Sequence, residues 1–143
     1  MLSQKNTKKQ GDVGLGLAIG YFVSKGYTIS LPLTDSQEYD LVVDHKFLDR
    51  VQVKTTSYKN RSGNYYVSLT MKGGNKYSNK IKSFDKEKID SILIIIGEGT
   101  YYWIPVRDIE ANNSITLYKA CDKHIVGSTP IFPLARDDSL HTT

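Results

Sequence analysis

The sequence predicts a single mixed α/β domain in which a glycine-rich N-terminal helix packs on a β-sheet. Three observations carry this expectation. Residues 7–25 place apolar side chains at helical spacing, at Val13, Leu17 and positions 19–23. Several later segments alternate apolar with polar residues, as half-buried strands do. Residues 89–97 (IDSILIIIG) form an almost continuous apolar run, which fits a strand buried on both faces.

In chain order, Thr7 suits the helix N-cap and Gly26 its C-terminal stop. Gly11, Gly14, Gly16 and Gly20 lie inside the helix, where each costs up to ~1 kcal/mol against alanine. So many glycines imply that another backbone, from the sheet or a second subunit, approaches closely. Strands are expected at 27–33, at 40–44 (DLVVD), at 47–57 (FLDRVQVKTTS) and at 65–71 (YYVSLTM), with a turn at 60–64 between the last two. Residues 73–87 read as a lysine-rich loop or short helix. After the buried strand, Glu98-Gly99 turns the chain into a strand at 101–106, and 106–110 make a short helical turn. From about residue 119 the chain reads as an irregular tail with Pro130 and Pro133, still part of one domain spanning 1–143.

A chain of 143 residues is long enough to bury one core. It has no apolar run near the roughly 20 residues that span a bilayer, and its start lacks the apolar stretch of a secretory signal. Cys121 is the sole cysteine, which excludes an intrachain disulfide and a cysteine zinc site. A reducing, cytoplasmic setting fits. The net charge of +4 is compatible with a polyanionic partner. His45, His124 and His141 lack metal-ligand spacing, and the glycine-dense helix lacks the preceding strand that a dinucleotide site requires.

Alternation along 47–57 turns Val51 and Val53 towards the core and Arg50, Gln52 and Lys54 to the other face. In DLVVD, Leu41 and Val43 face one side and Asp40, Val42 and Asp44 the other. Neighbouring strands therefore place Asp40 beside Gln52 and Lys54. Such a trio has a use in phosphodiester hydrolysis, where a divalent cation polarises the phosphate and activates water. Mg²⁺ prefers oxygen ligands and needs one or two carboxylates. Asp40 can hold the metal, Gln52 can offer its amide oxygen, and Lys54 can orient water or stabilise the developing charge.

The order helix, strand, Asp strand, (Glu/Gln)-x-Lys strand resembles the PD-(D/E)XK nuclease superfamily. NTKKQGD, GYTISLPL, YDLVVD and RVQVKT look like the branch that includes an intron-encoded bacterial homing endonuclease. Gln52 in place of the usual Glu is similar to that branch. Archaeal Holliday-junction resolvases share the core more distantly. The resemblance implies a restriction-endonuclease-like fold, a mixed sheet flanked by helices. It also implies a bacterial, cytosolic, Mg²⁺-dependent, site-specific double-strand DNA endonuclease. Mn²⁺ would substitute for Mg²⁺, and Ca²⁺ would bind without supporting cleavage. A homodimer or homotetramer is implied as well, and the glycine face of the helix and residues 101–105 are its candidate interfaces. The alternatives are a structure-selective nuclease of the junction-resolving kind and a DNA-binding module with weakened catalysis.

In the resemblance the first helix contributes a metal-binding Glu, which would fall at Leu15. Asp12 stands one helical turn earlier. It either takes over the metal role or is an N-terminal helix residue favoured by the macrodipole. Asp35 and Glu38, in the loop before Asp40, either reach the metal or are simply solvated, and the solvated reading is the one favoured. Lys59, Arg61, Lys72, Lys76, Lys80 and Lys82, followed by Lys86 and Lys88, flank the strand after Lys54 and are candidates for phosphate contacts. Tyr58, Tyr65, Tyr66 and Tyr77 are interleaved with them, and alternate residues of 65–71 could enter a groove.

Overall fold

The fold is organised around β7 (Ser91–Ile96), every residue of which is buried. The computed structural model describes residues 7–72, 81–82 and 84–129. The other elements are α1 (Thr7–Ser24), β1 (Thr28–Ser30), β2 (Leu41–Asp44), β3 (Leu48–Thr56), β4 (Tyr66–Ser68), β5 (Met71–Lys72), β6 (Ile81–Lys82), β8 (Thr100–Pro105), β9 (Ser114–Thr116) and β10 (Ile125–Ser128). Six strands form one sheet in the order β1-β2-β3-β7-β8-β10. Only β3 and β7 run parallel in it; the other neighbours are antiparallel. A parallel pair needs a crossover. Here the crossover is the chain between β3 and β7, which carries β4 paired to β9 and β5 paired to β6.

The apolar run of β7 follows from coverage on both faces. On one face, Ala18 and Phe22 of α1 pack with Leu41, Val43, Val51, Leu93, Ile95 and Tyr101. On the other, Ile92, Ile94, Ile96, Tyr102 and Ile104 pack with Val67, Leu69, Phe84 and Leu117. The mixed α/β class and the helix-on-sheet packing expected from the sequence are both present.

The helix ends as expected. Gly26 has φ 81°, and the N–H groups of Gly26 and Tyr27 bond back to Val23 and Phe22 carbonyls. A close approach is seen at one of these glycines, and it is to side chains of β3 rather than to a backbone. A Cβ on Gly14 would lie 2.4 Å from Thr55 Cγ2, whereas one on Gly11, Gly16 or Gly20 would meet nothing within 4 Å.

The strand expected at 27–33 spans only Thr28–Ser30, because Pro32 offers no N–H to a ladder. The strand expected at 65–71 is divided between β4 and β5, with Leu69 N–H donating to Asn113 O between them. The first part of the expected tail is ordered into elements, and residues 130–143 lie outside the described residues. Residues Lys119–His124 form a 3-10 helix and β10 pairs with β8 at the sheet edge. The β-branched pair Ile125-Val126 was the available signal, and Tyr21 Oη anchors it by donating to Val126 O.

Candidate active site

The antiparallel pairing of β2 with β3 sets Leu41 opposite Val51, so Asp40 lies beside Gln52. Asp40 N–H donates to Val51 O at 2.9 Å. Val53 N–H in turn donates to Asp40 Oδ2 at 2.7 Å, which fixes the carboxylate against the start of the Gln52–Lys54 segment. Gln52 is 5% exposed, and its Nε2 donates to Glu38 O at 3.1 Å. Its amide oxygen is the atom chemically suited to a hard cation. Lys54 is half-buried two residues further on, in register with Ile94 of β7.

Asp40 and Lys54 perturb each other. Asp40 is open to solvent at its outer edge, yet the protein packed around its carboxylate raises its pKa; the Val53 N–H and the Lys54 charge oppose that rise. Burial lowers the Lys54 pKa, and Asp40 opposes the fall. Both charged forms are thus disfavoured by desolvation and sustained by each other. Perturbed carboxylate–ammonium pairs of this kind concentrate at functional sites.

The entry loop before β2 contributes a side chain that sequence reasoning treated as solvated. Glu38 is 14% exposed at its side chain. Its Oε2 is buried and meets no hydrogen-bond donor among the described residues. A buried acceptor left unsatisfied costs about 1–3 kcal/mol, more when charged. The other oxygen lies 3.7 Å from Lys88 Nζ, whose own side chain is 62% exposed. The Glu38 main chain lies against the Gln52 amide, two residues before Asp40, and an orphaned carboxylate oxygen is a donor of the kind that a divalent cation takes. Beside this loop lies a recess of about 320 Å³ lined by Ser36, Gln37, Glu38, Tyr39, Arg50 and Lys88.

Asp12 does not join the trio. It is exposed on α1, about 200° round a helix from Gly14, the residue that abuts Thr55. Among the described residues no three His, Cys, Asp or Glu side chains converge. Leu15 packs against the apolar core. Moreover, α1 covers the Val51 and Val53 face of β3, whereas Gln52 and Lys54 project from the opposite face. A metal role for Asp12 rests on the resemblance alone.

Arg50 shares the face of Gln52 but is committed elsewhere. It grips Asp90 through Nε at 3.0 Å and Nη2 at 3.1 Å, and Nη2 also donates to Glu87 O. Of the basic residues, Lys59 pairs with Glu98 at 3.4 Å and lies over the Tyr65 ring. Arg61 is exposed on the turn after it. Lys72 and Lys82 sit on the paired backbones of β5 and β6, with side chains outside the described part; Lys76 and Lys80 lie outside the described residues altogether. Lys86 is tied to the Ile109 carbonyl.

A second polar cluster lies at the other end of β3. Asp49 is 4% exposed and accepts from Ser91 Oγ at 2.7 Å; it also meets His45 Nε2 at 3.2 Å, while Trp103 Nε1 donates to Ser91 Oγ. Each buried polar group there has its partner, so the cluster pins β3 to β7 and β8.

A family model described as PD-(D/E)XK endonuclease matches residues 5–127. Among solved structures, the bacterial homing endonuclease I-Ssp6803I superposes with a TM-score of 0.72 at 25% identity, covering 84% of this chain and 88% of that one. MepB superposes with a TM-score of 0.48 at 16% identity, covering 78% and 94% of the two chains. No curated protein matches the sequence.

Proposed function

Because this chain belongs to the PD-(D/E)XK endonuclease family and has its restriction-endonuclease-like fold, we propose that it is a divalent-metal-dependent, site-specific double-strand DNA endonuclease working through Asp40, Gln52 and Lys54. The observation that carries this reading is the Asp40–Lys54 pair, each group holding the other charged within a crowded site beside the Gln52 amide.

Asp40, with its carboxylate held by Val53 N–H, is the principal metal ligand. The Gln52 amide oxygen is the second. A bound Mg²⁺ supplies polarisation of the scissile phosphate and a more acidic water. Lys54 would steady the negative charge that develops on the non-bridging oxygens of a bound scissile phosphate. A half-buried ammonium is worth more in this role than a solvated one, because the local dielectric is lower. Arg61 and the lysines of the β4–β6 region are the proposed phosphate contacts that place the duplex. A symmetric target calls for a homodimer or homotetramer.

Purified protein is expected to nick or linearise supercoiled plasmid carrying a cognate site with Mg²⁺ or Mn²⁺, and to lose this activity in EDTA. Ca²⁺ is expected to support DNA binding without cleavage. Lys54→Ala should cut at least about 100-fold more slowly, in line with the loss of one transition-state charge contact, and still shift DNA in a gel. The exposed position of Asp12 and the apolar Leu15 favour a second reading, a DNA-binding module with weakened catalysis. DNA binding by wild type with no cleavage in any divalent cation would establish that reading instead.

A further inference from the structure

We propose that Glu38 is the second carboxylate of the divalent-cation site, filling from the loop before β2 the place that α1 leaves without an acid. This rests on the metal-dependent reading above and deepens it.

Glu38 lies on the correct side of the sheet. The face of β3 that carries Gln52 and Lys54 is opposite to the face covered by α1, so an acid on α1 has to reach around the strand. The loop before β2 does not. Its Glu38 carbonyl accepts directly from the Gln52 amide, two residues before Asp40. Glu38 is also built for something that the protein alone does not supply. Its Oε2 is buried with no donor among the described residues, and its other oxygen has only a long contact to Lys88 Nζ at 3.7 Å. A carboxylate with a purely structural role would have both oxygens hydrogen-bonded at this depth. One waiting for a cation would look like this one. Lys88 is then a placeholder charge, mostly exposed and shared with Asp85, that offsets Glu38 until a cation takes over.

The test is Mn²⁺ binding to the full-length protein without DNA, followed by the electron paramagnetic resonance of free Mn²⁺, with thermal melts of each metal-free variant alongside. Wild type is expected to bind, and Asp40→Asn to lose binding. Glu38→Gln should weaken binding roughly 10–100-fold, the range expected when a group supporting a metal site is lost. Its metal-free melting temperature should be no lower than that of wild type. Lys88→Ala should bind Mn²⁺ at least as tightly as wild type. Wild-type affinity in Glu38→Gln, with Asp40→Asn still defective, overturns the role of Glu38 and leaves the nuclease reading standing. The same holds if Lys88→Ala weakens binding as much as Glu38→Gln, or if Glu38→Gln melts at a lower temperature, since Glu38 would then act as a structural partner of Lys88. Absence of Mn²⁺ binding by wild type, together with absence of cleavage, overturns both.

Discussion

Replacing Gly14 with alanine puts a methyl group where the structure has none to spare. Its Cβ would lie 2.4 Å from Thr55 Cγ2 and 3.7 Å from Val53 Cγ1. Thr55 cannot simply turn away, because its Oγ1 accepts a hydrogen bond from Gln10 Nε2 at 3.1 Å. Forcing an extra methyl into such a contact costs about 1–3 kcal/mol. Removing a helix-interior glycine returns ~1 kcal/mol, so a net loss of about 0–2 kcal/mol is expected. Gly16→Ala is the matched control on the same helix, because its new Cβ meets nothing within 4 Å; it should gain up to ~1 kcal/mol. At roughly 4 °C per kcal/mol for a domain of this size, the two variants should melt about 8 °C apart. Thr55→Ser removes the opposing methyl and keeps the hydroxyl, so the Gly14→Ala/Thr55→Ser double variant should recover about 1 kcal/mol relative to additivity. Calorimetry on the four proteins gives the cycle. Gly14→Ala melting level with Gly16→Ala, or a strictly additive cycle, would refute the close approach of α1 to β3. Since Thr55 adjoins Lys54, cleavage by Gly14→Ala should fall more than its stability does.

Asp40→Asn should raise the melting temperature of the metal-free protein at neutral pH. The folded pKa of Asp40 is raised, so its protonated form contributes stability that is full below the unfolded carboxylate pKa and is lost as pH rises through the folded value; melts across pH 3–8 should show the two proteins converging at the acid end. The pH profile of cleavage should have an alkaline limb below the ordinary lysine range, set by the lowered Lys54 pKa. Single-turnover rates would show this, and a profile flat through the alkaline region would remove Lys54⁺ from the mechanism. Sedimentation velocity is expected to show a dimer or tetramer at micromolar concentration; a monomer that still cuts both strands of a symmetric site would sink that expectation.

The parts of this molecule governed by local periodicity were legible in the sequence. DLVVD and RVQVK have side-chain alternation strong enough to place Asp40, Gln52 and Lys54 together before any pairing was known, and IDSILIIIG reads as buried on both faces because it is. The parts governed by distant partners were not. The parallel direction of β3 against β7 depends on a crossover of irregular chain. β9 is a Ser-Ile-Thr triplet whose only reason to be a strand is β4. Glu38 looked like a solvated loop acid because polarity alone does not reveal that a loop folds back over Gln52. Asp12 looked well placed because one helical turn separates it from Leu15, but helix spacing does not say which face of the sheet the helix will cover.

The two margins of the main sheet bear on how copies of this chain can meet. β1 offers three residues, and Pro32 follows it closely. β10 offers four, with a register irregularity between Ile125 and Gly127. Short, interrupted margins are poor templates for adding a strand from another chain. Among the described residues, association by extending one continuous sheet across subunits is therefore disfavoured at both ends, which favours contacts built from side-chain surfaces of helices and loops.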